Sequence, residues 1–323
     1  MLTLQATQQI INEEINRINF VKPPELLYLP FQYVLGNGGK RIRPALTILT
    51  CSLFTDDYIK AVKPAIGLEL FHNFTLLHDD IMDKAEVRRN QPTVHKKWNN
   101  NVAILSGDAM LIEAYKLICE VDKEILPDAI SLFNTTALEV CEGQQYDMDF
   151  ENRLDVVADE YIEMIRLKTS VLIAACLKMG ALIGGASEEA QNLLYDFGIQ
   201  IGLGFQLKDD YLDTFGDSAI FGKKIGGDIV ANKKTYLLIK ALELSNTEQK
   251  NQILSLMHEN FDPQIKIEKI TSIYKELQVD TCIKNEMLNY YNKATKNLES
   301  LPISDEKKEE LLQFSKGLID RNK

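Results

Sequence analysis

Paired cysteines, mid-chain proline, excess positive charge and long apolar runs are all missing from this sequence, and each absence closes off a class of protein. The five cysteines (Cys51, Cys119, Cys141, Cys176 and Cys282) are odd in number, widely spaced and without a C-x-x-C pair, so neither a disulfide framework nor a zinc-site spacing is present. A reducing cytoplasm is the expected setting. Lysine and arginine total 36 against 47 aspartates and glutamates, a formal charge of −11. That balance argues against a nucleic-acid partner, whose binding would need a basic surface, and confines any anion site to a local cluster. The most apolar stretch, Val171 to Ala186, is short for a bilayer span and is broken by Lys178, and the opening Met-Leu-Thr-Leu-Gln lacks the pattern of an export leader.

No proline lies between Pro127 and Pro263, which leaves a long region open to uninterrupted helices. Ser187 is expected to cap one of them. Glu188 and Glu189 fall in its first turn, and Ala190, Leu194, Phe197, Ile201 and Phe205 recur at helical spacing. Gly198 and Gly202, four apart on that helix, suit close approach of a neighbouring helix. Ser245-Asn246-Thr247-Glu248 and Ser304-Asp305-Glu306 open two later helices, the last presenting Leu311, Leu312 and Leu318. Alternating apolar runs joined by Asn-Gly or Asp-Gly turns are absent, as are Gly/Ser linkers, repeats and low-complexity tracts. The expectation is an all-α chain forming a single large helical bundle, one domain over residues 1–323.

The sharpest local feature is Leu-Leu-His-Asp-Asp-Ile-Met-Asp, in which Asp79 and Asp83 share one helix face and Asp80 sits beside them. Carboxylates stacked away from a helix N-terminus repel one another, and a divalent cation resolves the repulsion. Oxygen ligands from one or two carboxylates, completed by water and substrate phosphate, are the usual setting of Mg²⁺. The pattern returns about 130 residues later as Gln206-Leu207-Lys208-Asp209-Asp210-Tyr211-Leu212-Asp213. Two acidic faces of this kind suit a diphosphate held through shared metal.

Cations are gathered beside these motifs. Lys40, Arg41 and Arg43 follow the Gly38-Gly39 pair, Arg88 and Arg89 come soon after the first motif, and Lys168-Thr169, Lys223-Lys224 and Lys233-Lys234-Thr235 supply the rest. His72, seven residues before Asp79, falls on nearly the same face, with Thr75 between them. His78 and His95 add imidazoles, yet no H-x-x-H or E-x-x-H spacing favours a transition metal.

This ordered set resembles the trans-isoprenyl diphosphate synthases, also called polyprenyl synthetases, of the short-chain geranylgeranyl or farnesyl type. G-G-K-R-I-R-P from Gly38, H-x5-H-D-D-x-x-D from His72, R-R at Arg88 and Arg89, and G-Q-x-x-D at Gly143, Gln144 and Asp147 come first. K-T at Lys168, Q-x-x-D-D-x-x-D from Gln206, then G-K and K-K-T complete the family's order, with an echo in Arg321. One departure is Asn90, where the family commonly has glycine.

The resemblance implies an isoprenoid-synthase fold around a deep central pocket, a homodimer, and Mg²⁺ dependence with three ions beside bound substrate. By the same implication Asp79, Asp83 and Asp209 are metal ligands, supported by Asp80, Asp210 and Asp213. Arg88, Lys168, Lys224 and Lys233 neutralise an allylic diphosphate, while Thr169 and Gln206 steady the allylic cation. Lys40, Arg43, His72 and Arg89 bind isopentenyl diphosphate. Phe74 and Phe71 lie five and eight residues before Asp79, about 7 and 12 Å along a helix. An aromatic at the fifth position resembles the family's floor for short chains, so C20 is the expected product, then C15, then longer chains. The rivals are a terpene cyclase, disfavoured by the repeated D-D-x-x-D, and a non-catalytic subunit of a heteromeric synthase, disfavoured because both motifs are intact.

Overall fold

The computed structural model describes residues 2–216, 225–259 and 261–319. The chain runs α1 (Leu4–Arg17), α2 (Glu25–Gly36), α3 (Ile42–Ser52), α4 (Val62–Met82), a hairpin of β1 (Val87–Arg88) and β2 (Gln91–Pro92), α5 (Val94–Lys97), α6 (Asn100–Ile118) and α7 (Leu126–Glu151). It continues through α8 (Ala158–Ile165), a π-helix (Arg166–Ser170), α9 (Val171–Ile183), α10 (Glu188–Phe215) and α11 (Gly227–Val230). Last come α12 (Tyr236–Leu244), α13 (Thr247–His258), α14 (Pro263–Glu276), α15 (Val279–Glu299) and α16 (Asp305–Ile319). The all-α expectation holds. Among the described residues no helix is long and apolar enough to cross a membrane.

The chain divides into two compact units, Met1–Thr135 with Ala175–Leu194, and Thr136–Ala174 with Tyr195–Lys323. In the first, α4 packs along α6 and α3. Its buried residues lie on every side of the helix (Ala65, Ile66, Leu68, Leu70 and Phe71 among them), as suits a central helix rather than a surface one. Gly67 sets the α4–α6 approach: a Cβ there would stand 2.8 Å from Ile118 Cγ1 and 2.9 Å from the Ala114 carbonyl.

In the second unit α12 packs against α15, α14 and α8, and α11 rests on α14. The π-helix carries the K-T pair and is clasped by two glycines. A Cβ on Gly143 would collide with the backbone of Lys168, and one on Gly202 would stand 2.5 Å from Ser170 Cα. Gly202 therefore serves close helix packing, as its spacing predicts.

Local signals explain the boundaries. Ser187 Oγ accepts from the Ala190 amide at 3.3 Å, opening α10, and Ala190, Leu194, Phe197 and Ile201 on its stripe are buried, with Phe205 half-buried. Asn246 and Gln249 form a capping box at α13. The final helix turns slightly from the expected face: Leu311 and Phe314 are buried, whereas Leu312 and Leu318 are half-buried. In the hairpin the turn residues Arg89 and Asn90 have φ of 52° and 61°. Positive φ at both central positions defines a type I′ turn, and asparagine is among the residues that tolerate it. Asn90 thus takes the positive φ that the turn requires.

Candidate functional site

In the first unit the glycine loop and the hairpin are joined by Arg89, whose Nη1 donates to the Gly38 carbonyl. Gly39, at φ 135°, leaves room for that guanidinium, because a Cβ would lie 2.8 Å from Arg89 Nη1. Arg43 Nη1 lies 3.2 Å from His72 Nε2. Since arginine only donates, the Nε2 atom is the acceptor and the ring is neutral. Burial, then Arg43, Arg89, Arg88 and Arg41, hold the His72 pKa well below its ordinary value. Glu69 pairs with Arg41 at 2.7 Å and Asp80 with Arg88 at 2.8 Å. Among the described residues Arg43 and Arg89 bridge no carboxylate, so the cluster keeps net positive charge. Lys40 is exposed at the end of the glycine loop.

The first acidic motif occupies the C-terminal end of α4. Asp79 is half-buried, Asp80 buried, and Asp83 exposed at the C-cap, its amide donating to the Asp79 carbonyl at 2.8 Å. A helix C-terminus carries partial negative charge, so three aspartates there are a locus for cations. One turn deeper, the Phe74 ring is 4.7 Å from His78 and 5.7 Å from Phe71. Phe71 is 1% exposed and meets Phe133 edge-on at 5.1 Å, while Phe74 is half-buried.

The second unit gathers the later motifs. Thr169 Oγ1 donates to Gln206 Oε1 at 3.4 Å, Gln206 Nε2 donates to Asp210 Oδ1 at 3.2 Å, and the Tyr161 hydroxyl donates to Asp210 Oδ2. Lys168 Nζ lies 2.6 Å from Asp147, which joins K-T to G-Q-x-x-D. Burial first, with Asp228 adding to it, pushes the Asp210 carboxyl up to about 7, against the lowering effect of the Tyr161 and Gln206 bonds. Burial and then Asp228 push Asp213 up to about 6. Lys233 is exposed, with Nζ 3.8 Å from Asp228. Lys234 instead donates to the carbonyls of Glu151 and Asn232 at 3.2 and 3.3 Å, and Thr235 caps α12. Lys223, Lys224 and Arg321 lie outside the described residues.

These donors fit Mg²⁺. They are carboxylate oxygens at the C-terminal ends of α4 and α10, and the raised carboxyls mark negative charge that a hard cation relieves. Among the described residues no three His, Cys, Asp or Glu side chains are grouped to hold a metal alone; Mg²⁺ ordinarily completes its octahedron with water and substrate oxygens. The raised Asp210 and Asp213 have a measurable consequence. A carboxyl whose folded pKa exceeds its unfolded value stabilises the fold below the unfolded pKa, and this is lost as pH rises through the folded one. Chelator-treated protein is therefore expected to lose thermal stability at these groups from pH 5 to pH 8, and Mg²⁺ to raise Tm more at pH 8 than at pH 5. A Mg²⁺ increment independent of pH would contradict it.

Sequence reasoning missed Glu69, Tyr161 and Asp228. The first two are single polar residues in helical segments with no spacing to mark them. Gly226-Gly227-Asp228, between the second acidic motif and K-K-T, carried a usable signal for the third.

Each unit thus carries a helix-end carboxylate cluster beside cationic side chains, chemistry that suits a diphosphate and Mg²⁺. Comparison with known proteins specifies the family. The polyprenyl synthetase model matches residues 24–276. The short chain isoprenyl diphosphate synthase of Methanothermobacter thermautotrophicus is 37% identical, covering 98% of this chain and 96% of that protein. A crystal structure of a geranylgeranyl pyrophosphate synthase is 45% identical with a TM-score of 0.95, covering 99% of both chains. That of Corynebacterium glutamicum geranylgeranyl pyrophosphate synthase, complexed with isoprenyl diphosphate and magnesium, is 26% identical with a TM-score of 0.88, covering 99% of this chain and 100% of its own. The chain belongs to the polyprenyl synthetase family.

Proposed function

We propose that this protein is a Mg²⁺-dependent prenyltransferase that condenses isopentenyl diphosphate with an allylic diphosphate to a short-chain trans product, C20 geranylgeranyl diphosphate. The observation that carries the reading is the Thr169–Gln206–Asp210–Tyr161 chain with Lys168 on Asp147, which draws separate motifs into one polar network. The names of the geranylgeranyl pyrophosphate synthase structures support C20. One family model running through residues of both compact units supports a single synthase domain.

In this reading Asp79, Asp83 and Asp209 ligate Mg²⁺, three ions with substrate bound, and Asp80, Asp210 and Asp213 orient or support them. Bound Mg²⁺ supplies positive charge against the oxygens of the departing pyrophosphate. Arg88, Lys168, Lys224 and Lys233 neutralise the same group, and such pre-arranged charge favours the transition state over the intact ester. Thr169 and Gln206 turn oxygen dipoles toward the allylic cation, and apolar walls delay its capture by water. Lys40, Arg43, His72 and Arg89 hold isopentenyl diphosphate, whose double bond attacks; proton loss to pyrophosphate ends one five-carbon addition. The protein acts in the cytoplasm as a homodimer.

Purified protein incubated with isopentenyl diphosphate and each of the C5, C10 and C15 allylic diphosphates is expected to yield C20 from all three with Mg²⁺ and nothing without it. Absence of elongation overturns the reading, and a halt at C15 corrects the product. Phe74→Ala is expected to shift products to C25 and beyond, read by chromatography of the dephosphorylated alcohols. Unchanged lengths would remove Phe74 as the floor.

A further inference from the structure

Outside the residues assigned above, the second unit buries a lysine that, among the described residues, pairs with no carboxylate. Lys266 on α14 is 7% exposed, and its ammonium donates to Asn232 Oδ1 at 2.7 Å and to the Val230 carbonyl at 3.2 Å. Burial lowers its pKa from the ordinary lysine value. Withdrawing an ammonium from water is costly, and an apolar residue would fill the same space without that penalty. What the charge holds is specific. Val230 ends the four-residue α11, whose last carbonyls have no partner within the helix. Asn232 follows at φ 55°, its Nδ2 donating to the Met257 carbonyl at 3.0 Å.

The segment so held is the one that supports the second acidic motif. Gly226 N donates to the Asp213 carbonyl at 2.6 Å, Asp228 N to Asp213 Oδ2 at 3.0 Å, and Lys233 N to the Asp228 carbonyl at 3.0 Å. A second contact from α14 fixes the other end: Ile267 sits against Gly226, where a Cβ would stand 2.6 Å from Ile267 Cγ1. Asp228, Asn232, Lys233 and Lys266 line one small cavity. Helix α14 therefore grips both ends of the 226–233 loop.

We propose that Lys266 is a positioning residue: its ammonium, a tethered cation on the carbonyl end of α11, sets the loop that places Asp228 and Lys233 for binding of the allylic diphosphate. This rests on the prenyltransferase reading above. Residues that orient a binding group through one intermediary typically cost tenfold or more when removed. Lys266→Met is expected to raise KM for the allylic diphosphate about tenfold and to leave KM for isopentenyl diphosphate within about twofold, with Lys266→Arg restoring most of the loss. Amides in a peptide spanning 225–235 are expected to exchange with deuterium faster in Lys266→Met than in wild type. Asn232→Gly, which tolerates the positive φ while deleting the side-chain acceptor, should reproduce both effects should Lys266→Met fold poorly. Unchanged exchange, or KM values for the two substrates rising together, would overturn the proposal. A wild-type protein that elongates no prenyl chain defeats the functional reading alone, and the exchange rates still decide whether Lys266 holds the loop.

Discussion

Asp79→Ala is expected to lower turnover on the order of 10³-fold while leaving the protein folded. The two halves of this result have different physical origins. Asp79 stands in the last turn of α4 with Asp80 and Asp83 beside it, where the negative end of the helix dipole and neighbouring carboxylates oppose its charge. The helix does not need that charge in order to form, so the fold is expected to stay intact. Under the proposed function turnover falls, because a side chain that would hold Mg²⁺ against the leaving group has gone. Steady-state kinetics with thermal unfolding on the same sample separate the two: near-normal turnover would remove Asp79 from the machinery, and a matching collapse of Tm would recast its role as structural.

Glu69→Ala is expected to destabilise the protein by about 3–5 kcal/mol, a large fraction of the stability of an ordinary domain. Arg41 and Glu69 have side chains 3% and 4% exposed and meet at 2.7 Å. Asn73 donates to Glu69 Oε1 at 3.3 Å, and Arg41 also donates to the Leu35 carbonyl. Deleting the carboxylate leaves a guanidinium buried without its counter-charge, which costs more than the pair contributes. The double variant Arg41→Met with Glu69→Leu should recover most of the loss, because an apolar pair needs no compensation. Urea unfolding midpoints measure both, and a Glu69→Ala midpoint equal to wild type would show that water reaches Arg41.

What was legible in the sequence was what repeats or caps. The Ala190-to-Ile201 stripe needed only its spacing, and Ser187 and Asn246 announced helix starts by side-chain chemistry alone. The site's outline was legible for the same reason, since D-D-x-x-D and the cation clusters are patterns. Partners remote in sequence were not. Tyr161 reaches Asp210 across 49 positions and Arg41 reaches Glu69 across 28, with nothing local at either end to mark the pairing. Asn90 is an intermediate case: the sequence marks it only as unlike the glycine common in the family it resembles, whereas its φ of 61° is a conformation that asparagine tolerates.

The π-helix at Arg166–Ser170 changes how the neighbouring sequence projects onto space. Each such turn winds an extra residue into the spiral, so positions after Ser170 are out of phase with those before Arg166. A helical wheel drawn straight from Ala158 to Ile183 would assign the wrong face to one half. The widened turn lets Lys168 meet Asp147 and Thr169 meet Gln206 from consecutive positions, neither taking the other's place. Deleting one residue here would restore an ordinary α-helical turn, and with it a straight wheel from Ala158 to Ile183.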